Sequence, residues 1–348
     1  METERSATDK PVLNVVWPAS PLNETDWIRY LLSDFELSER TAAALETAEA
    51  DTLYIVSAND LRLGGIADGF LAEARLRRGV GLLHLSDEWC GEDYGVYRDF
   101  AFVVRTYYGT RLQLPGVLTI PLGWPNGTAA PARPVPASQR KLIWCFFGSL
   151  VSSRPDMLAA FRGLDPSLSP LSPPHVCRLP PAEFAEALRQ SVFCPAPMGN
   201  VMIESWRFYE ALENGAIPIV ERRRTLDYYR RLLGPHPVPS FASWSKARRF
   251  VEAAMASPGE LDRLQADVLG WWADCKRQWR VRTAQFIAEG LSDRYRPVLE
   301  SARFPVGIGR LCWQYAELMR HHSATALGRR FLRMAKRGTF RRSTEGRA

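Results

Sequence analysis

Residues 191–220 constrain the fold of this chain more than any other segment. They read SVFCPAPMGNVMIESWRFYEALENGAIPIV: an apolar run, a glycine-containing loop, a segment with helical spacing and a second apolar run. This order predicts a buried strand, a loop, a helix and a second buried strand. Parallel strands need such a crossover connection, so the segment predicts one βαβ unit of an α/β fold.

Three polar residues, Ser205, Arg207 and Glu210, lie at the start of the predicted helix. A helix N-terminus offers unpaired N–H groups and positive potential to an anion, and an arginine beside it can bind two phosphate oxygens. Glu210 lies on the same helix face as Arg207, one turn deeper, where it can accept hydrogen bonds from ribose hydroxyls. The pattern indicates a nucleotide diphosphate site. Because capping and charged residues punctuate every βαβ unit, a solvated Arg207–Glu210 pair is the alternative.

The rest of the chain alternates apolar runs with helical segments, which predicts doubly wound parallel sheets. At 348 residues the chain is long enough for two domains. The segment PNGTAAPARPVPASQ, residues 125–139, has the composition of a linker. We therefore expect an N-terminal Rossmann-like acceptor domain over 1–130, a linker over 131–140, a donor domain over 141–292, and C-terminal helices with a basic tail over 293–348.

The individual elements follow from the same periodicities. Predicted strands cover residues 13–17, 52–57, 81–85, 100–108, 117–122, 141–150 and 175–179, besides the two of the opening segment. Predicted helices cover 27–32, 69–78, 154–162, 182–190, 245–256, 261–287 and 307–334, whereas 164–174 reads as a Pro/Ser loop.

Composition points to a cytoplasmic protein. No apolar run approaches 18 residues, so no transmembrane helix is expected. The N-terminus shows no basic start followed by an apolar core, so no secretory signal is expected. The six cysteines are scattered without a CxxC pair, which suits a reducing compartment.

The net charge of +7 is concentrated in the last twenty residues, where eight Lys and Arg residues face one acidic residue. Apolar residues alternate with the basic ones, which predicts an amphipathic helix resting on an anionic membrane surface. A solvated terminus is the alternative. Nucleic-acid binding is a further reading, but no nucleic-acid-binding motif accompanies the tail, so no nucleic acid partner is expected.

Two further groups of residues follow apolar runs, at the strand ends where open α/β sheets bind ligands. Asp87 and Glu88 follow the run 81–85, where a general base would face a cleft, although acidic residues there also cap turns. Gly148, at the end of the run 141–150, and Arg154, at the start of the next helix, offer a second phosphate contact, although Gly148 also suits a plain turn.

His175 and Arg178 lie around another short predicted strand and could border a base pocket. The sequence has no Walker-type GxxxxGK[ST], no complete GxGxxG, no DxD and no zinc-like His/Cys spacing. We therefore expect no metal and no cofactor, with phosphate held by helix ends and arginines.

These residues resemble the exostosin-type glycosyltransferases. That family carries S-x-FC-x-x-P followed by S-x-R-x-x-E-A-L-x-x-G-x-I-P-V. The first appears here at residues 191–197 and the second at 205–219, with Ile219 in place of the final Val. Phe146-Phe147-Gly148 followed by Arg154 is similar to the start of the family's donor domain. Three blocks, LHLSDE at 83–88, VRTYY at 104–108 and IPLGW at 120–124, look like the ribitol xylosyltransferase branch. The resemblance covers scattered blocks between about residues 80 and 220.

The resemblance implies the GT-B architecture, two Rossmann-like domains facing a cleft. It also implies an inverting, metal-independent transfer of a hexosyl or pentosyl group from a nucleotide-sugar, typically a UDP-sugar, to a glycan or lipid-linked acceptor. Arg207 would contact the pyrophosphate and Glu210 the ribose. Arg154 would stabilise the leaving diphosphate, and Asp87 or Glu88 would be the base.

Animal members of the family carry a membrane-spanning N-terminal anchor that this sequence does not show. We therefore expect a cytoplasmic enzyme, peripheral at the inner face of the cytoplasmic membrane. Two alternatives stay open. A retaining GT-B enzyme would pair Glu204 with Glu210, although their spacing is six residues and not the usual eight. The other is a non-catalytic scaffold that binds sugar nucleotides.

Overall fold

The computed structural model describes residues 10–128, 133–170, 179–223, 226–305 and 307–321. The chain forms two compact units. The first contains Met1–Asn126 and Ala273–Tyr315, and the second contains Gly127–Trp272 and Ala316–Ala348. The expected second domain included residues 273–292, whereas these residues group with the first unit. The boundary between the two units falls inside one uninterrupted helix, whose later part packs Phe286 against Phe102. The helical pattern continues across this boundary, so the sequence does not mark it.

The first unit is built on a six-stranded parallel sheet of order β2-β1-β3-β4-β5-β6. Its strands are β1 Val12–Pro18, β2 Glu36–Ala42, β3 Thr52–Ser57, β4 Gly81–Leu85, β5 Phe102–Arg105 and β6 Val117–Thr119. Five of the six were predicted, two of them as longer runs. Strands β3, β4 and β5 are buried along their whole length, as expected for parallel strands covered on both faces.

Strand β2 was not predicted, because its sequence ELSERTA has no apolar alternation. Its side chains are largely exposed, and backbone pairing with β1 from Val12–Glu36 to Pro18–Ala42 holds it at the sheet edge. A charged, solvated edge strand is a common way of protecting an edge against association.

The second unit is built on a five-stranded parallel sheet of order β11-β10-β9-β7-β8. Its strands are β7 Leu142–Cys145, β8 Ser167–Leu168, β9 Ser191–Ala196, β10 Ile217–Glu221 and β11 Ser240–Phe241. Strands β9 and β10 confirm the opening βαβ prediction. Strand β8 lies in the segment predicted as a loop. The strand predicted at 175–179 falls almost entirely outside the described residues.

The described ranges contain ten α-helices. They are α1 Thr25–Leu31, α2 Asp68–Leu76, α3 Arg154–Phe161, α4 Pro181–Gln190, α5 Trp206–Glu213, α6 Tyr228–Leu233, α7 Trp244–Met255, α8 Pro258–Leu291, α9 Arg296–Ser301 and α10 Gly307–His321. In the second unit, α4 and α5 bury Leu188 and Ala211 against Cys145 and Cys194 of the sheet. The predicted class, two parallel-sheet α/β domains with C-terminal helices, is confirmed.

Among the helices described, none is long and apolar enough to cross a membrane. Five cysteines lie in the described ranges and all are free: Cys90, Cys145, Cys194 and Cys275 are buried, and Cys312 is exposed.

Candidate functional site

The strand order of the second sheet reverses at β7, which pairs with β8 on one side and with β9 on the other. Ligands of open α/β sheets bind at such a switch point, outside the carboxyl ends of the strands. The segment after β7 contains Gly148. The segment after β9 runs through Met198 to Ser205 and enters α5, which carries Arg207 and Glu210. Four residues predicted from the sequence therefore lie on the two segments that flank the switch point.

Arg207 packs its guanidinium group against the segment that follows β7. Its Nε donates a hydrogen bond to the carbonyl of Phe147, and its Cζ lies 5.4 Å from the centre of the Phe146 ring. A Cβ on Gly148 would lie 2.7 Å from Arg207 Nη2 and 3.0 Å from Cζ. Glycine at 148 therefore allows this packing. Neither Nη atom of Arg207 bonds to a described residue, which leaves both donors for a ligand.

Glu210 follows Arg207 on the same face of α5. Its side chain is half-buried, and its carboxylate makes no hydrogen bond or ion pair with a described residue. Burial raises the pKa of Glu210 above its ordinary value, and the positive charge of Arg207 opposes that shift. A carboxylate held next to an arginine and free of protein donors is suited to accept hydroxyl hydrogen bonds.

Ser205 is the N-cap residue of α5, but its hydroxyl does not cap the helix. An N-cap serine ordinarily accepts a hydrogen bond from the second or third N–H of its helix. Here Ser205 Oγ is buried without a hydrogen-bond partner in the described part of the chain. The hydroxyl of Tyr229 lies beside it without meeting hydrogen-bond geometry. The N–H of Phe208 bonds to the carbonyl of Ser205 at 3.2 Å. The start of α5 thus leaves the N–H groups of Trp206 and Arg207 and a buried hydroxyl for an anion.

Arg154 begins α3 and holds the two segments together. Its Nη1 donates to the carbonyl of Ser149 at 2.9 Å and to Ser149 Oγ at 3.0 Å. Its Nε donates to the carbonyl of Met198 at 3.4 Å. The side chain is buried. It therefore brings positive charge to the site while bridging the segments after β7 and β9, and its contact with a leaving diphosphate stays a prediction.

Glu221, at the end of β10, was not predicted. Its buried carboxylate accepts hydrogen bonds from Ser153 Oγ, from Met198 N at 2.6 Å and from Arg223 Nη1 at 2.8 Å. One side chain thus fixes the segments that follow three neighbouring strands. The available signal was a carboxylate directly after the apolar run IPIV.

Glu204 does not face the same surroundings as Glu210. Its buried carboxylate accepts hydrogen bonds from the hydroxyls of Tyr209 and Tyr228. The other two predicted site residues of this unit, His175 and Arg178, lie outside the described residues.

In the first unit, Asp87 lies in a buried polar network at the end of β4. Asp87 is 3% exposed. It accepts hydrogen bonds from the Tyr94 hydroxyl, from Gly91 N at 3.0 Å and from Arg105 Nη2 at 3.3 Å. Burial raises the pKa of Asp87, and Arg105 opposes that shift. These contacts give both carboxylate oxygens protein partners, so the structure supports an ion-pairing role for Asp87.

The same network surrounds His84 within β4. Its Nδ1 lies 2.7 Å from the Tyr97 hydroxyl, which also accepts from the fully buried Arg105. Burial, followed by the charge of Arg105, lowers the pKa of His84 well below its ordinary value, so this core histidine is neutral. Glu88, the second predicted base, is half-buried, and its backbone N–H bonds to the carbonyl of Ser86.

The hydrogen-bonded pair of Ser86 and Glu24, which follow strands β4 and β1, was not predicted. Ser86 follows β4 with a φ of +64°, an uncommon backbone conformation for serine. Its Oγ donates a hydrogen bond of 3.4 Å to Glu24 Oε1. Glu24 is 1% exposed, and burial raises its pKa above the ordinary value of 4.5. Glu24 follows β1, at the switch point of the first sheet. No local pattern joins residues 62 positions apart.

No protein-family model matches the chain, and no curated protein matches it. Among solved structures, an α1,3-fucosyltransferase is similar over 82% of this chain and 92% of its own, at 10% identity and a TM-score of 0.51. A T4 phage BGT in complex with UDP and Mn2+ is similar over 83% and 99%, also at 10% identity, with a TM-score of 0.40. The first shows a shared fold, the GT-B fold of glycosyltransferases, while the exostosin resemblance stays a prediction.

Proposed function

We propose that this protein is a glycosyltransferase that binds a nucleotide-sugar in its second unit and transfers the sugar to a hydroxyl of a glycan or lipid-linked acceptor. The observation that carries the proposal is the pairing of Arg207 and Gly148 at the switch point of a GT-B sheet. The glycine lets the guanidinium lie against the backbone, and two of its nitrogen atoms have no partner among the described residues.

The donor site follows from these groups. Arg207 Nη1 and Nη2 each donate to a diphosphate oxygen, the two-pronged geometry that arginine favours with phosphate. The N–H groups at the start of α5 add further donors. Glu210 accepts hydrogen bonds from the ribose hydroxyls, one helical turn away. The resemblance described above suggests UDP as the nucleotide.

The leaving group gains negative charge as the bond between the anomeric carbon and the diphosphate breaks. Arg207 and Arg154 bring two fixed positive charges to this place, and fixed charges aimed at developing charge are effective catalysts. We infer that these guanidinium groups do the work that a divalent cation does in other transferases, so that transfer proceeds without metal.

The acceptor hydroxyl is deprotonated in the first unit. Asp87 is engaged by Arg105, Tyr94 and Gly91, so its assigned role is to position the strand end. We assign the base to Glu24, acting through Ser86. Glu24 itself is buried, whereas Ser86 is partly exposed and donates to it. Burial raises the pKa of Glu24 toward the pH at which the enzyme works, which makes its carboxylate a better general base.

The reaction is then a single displacement. The acceptor oxygen attacks the anomeric carbon as the bond to the diphosphate oxygen breaks, which inverts the anomeric configuration. The acceptor proton passes to Ser86 Oγ, whose own proton passes to Glu24. Since the tyrosine hydroxyls engage Glu204, a Glu204–Glu210 pair of the retaining kind is not favoured.

The donor site is tested by the melting temperature in the presence of UDP-, GDP-, CMP- and dTDP-sugars. We expect one family of nucleotides to raise the melting temperature, and Arg207→Ala to abolish the rise. Arg231→Ala, an exposed arginine in the same unit, is the matched control and should keep it. If no nucleotide-sugar changes the melting temperature, the proposed function is wrong.

Catalysis is tested separately by release of the nucleoside diphosphate with an acceptor panel. We expect Glu24→Gln to lose turnover and retain nucleotide binding, with a smaller loss in Ser86→Ala. Full turnover in Glu24→Gln together with loss in Glu88→Gln would move the base to Glu88. Nucleotide binding without turnover for any acceptor would favour the non-catalytic scaffold, and a product of retained anomeric configuration would exclude the single displacement.

A further inference from the structure

Helix α10 turns a row of apolar side chains toward solvent. Ile308 is 81% exposed, Leu311 57% and Tyr315 56%, and Cys312 is exposed as well. Their spacing of three, four and seven residues places them on one face of the helix. We call these four residues the α10 stripe. The opposite face holds the helix in place through Trp313, which is buried and packs edge-on against Tyr94.

The clustering of the stripe distinguishes it from the other exposed apolar residues. In the described ranges, such residues elsewhere are dispersed over separate elements, for example Leu76 in α2, Val135 before β7 and Val281 in α8. Single exposed apolar residues are normal on protein surfaces, whereas contiguous ones mark interaction sites. The stripe is therefore an unpartnered face of the kind that binds another surface.

The charge of the adjoining sequence indicates which surface that is. Residues 322–348, which follow α10, lie outside the described residues, but their sequence contains eight Lys and Arg residues against one acidic residue. Apolar side chains next to a concentrated positive charge match an anionic lipid surface, where the former enter the acyl boundary and the latter bind lipid phosphates. A second copy packed stripe against stripe would bring two such basic segments together, which their repulsion opposes.

We propose that α10 and the basic segment after it bind an anionic membrane surface. The stripe supplies the apolar contact, and the basic segment supplies the preference for anionic lipid. Binding should therefore need both parts, because a short apolar face or a basic segment alone gives only weak, reversible attachment.

The test uses the full chain and vesicles of phosphatidylcholine with or without phosphatidylglycerol. We expect sedimentation with the anionic vesicles and little with the neutral ones. Ile308→Ser with Leu311→Ser should weaken anionic vesicle binding by about tenfold or more, because apolar area buried in the interface sets the affinity. Leu76→Ser, the control, removes an equally exposed apolar side chain and should change nothing. A triple Arg329→Glu, Arg330→Glu, Arg333→Glu variant should also lose binding.

Cys312 provides an independent readout within the stripe. A water-soluble maleimide should modify it rapidly, and anionic vesicles should slow that modification while neutral vesicles leave it unchanged. Melting temperature and UDP binding should be the same in all variants, which separates this proposal from the proposed enzymatic function.

Three results would overturn the proposal. One is equal binding of the stripe variant and the native chain to anionic vesicles. Another is slow modification of Cys312 without lipid that becomes fast in the Arg329–Arg330–Arg333 variant, because the basic segment itself would then cover the α10 stripe. The last is a dimer in sedimentation velocity that the serine substitutions dissociate, because a second copy of the chain would then cover the stripe.

Discussion

Substitution of Gly148 by alanine gives the sharpest test of the proposed donor site. The new Cβ would lie 2.7 Å from Arg207 Nη2, whereas ordinary van der Waals contact begins at 3.4 Å. The guanidinium must therefore retreat by about 0.7 Å, and its Nε hydrogen bond to the Phe147 carbonyl must lengthen or break. A ligand hydrogen bond of about 2.9 Å would become about 3.6 Å, which is no longer a hydrogen bond.

The expected loss follows from that displacement. A hydrogen bond between charged groups contributes about 1.5–3 kcal/mol, so Gly148→Ala should weaken UDP binding by about 10- to 150-fold. Stability should fall as well, because a φ of +158° is a conformation that alanine adopts only with strain, at a cost of about 1–3 kcal/mol. Affinity and stability must therefore be measured separately, by titration calorimetry and by denaturant unfolding.

A matched control separates the two effects. Gly163 also has a positive φ, of +77°, but nothing lies within 4 Å of where its Cβ would be. Gly163→Ala should therefore lose stability and keep its UDP affinity. In an Arg207→Ala background, Gly148→Ala should cause no further loss of affinity, because the side chain it displaces is gone. An equal loss in both backgrounds would refute the argument that Gly148 acts through Arg207.

Three further predictions concern carboxylates. In the proposed site the charged form of Glu210 accepts the ribose hydroxyls, and burial raises its pKa; UDP-sugar affinity should therefore fall as the pH is lowered through that pKa, and Glu210→Gln should bind weakly without this pH dependence in calorimetry. Because the pKa of Glu24 is raised in the folded state, the free energy of unfolding should fall as the pH rises from 4.5 through the folded pKa. Glu24→Gln should therefore be more stable than the native chain at neutral pH while losing turnover. A less stable variant would contradict the raised pKa. Asp87→Asn leaves the buried Arg105 without its counter-ion, which should cost about 3–5 kcal/mol in denaturant unfolding; native stability with lost turnover would instead make Asp87 the base.

The candidate site of the second unit could be predicted from sequence because its residues are close together in the chain. One βαβ unit carries Ser205, Arg207 and Glu210 within six residues, and helical spacing fixes which of them share a face. Apolar runs predicted most of the strands, since buried parallel strands are apolar on both faces. Strand β2 could not be predicted, because an edge strand held by backbone pairing needs no apolar pattern.

Contacts between distant segments were not readable in the same way. Glu221 fixes Ser153 and Met198 from a different strand end, and only the sheet order brings these residues together. The move of residues 273–292 into the first unit was hidden as well, because a continuous helix carries no sign of which sheet it covers at each turn.

The carboxyl end of β4 shows why adjacency in sequence is a poor guide to which residues form a pair. Asp87 and Glu88 were predicted as candidate bases because they are neighbouring carboxylates. Neighbouring side chains near a strand end point in different directions, and that of Asp87 turns inward to Arg105. The carboxylate that meets the exposed strand end is Glu24, which approaches Ser86 from the loop after β1. A nucleotide offers the same phosphate and ribose groups to every enzyme, so one local segment suffices to bind it. Acceptor activation requires a base beside a hydroxyl, and a parallel sheet supplies such a pair most directly from two strand ends.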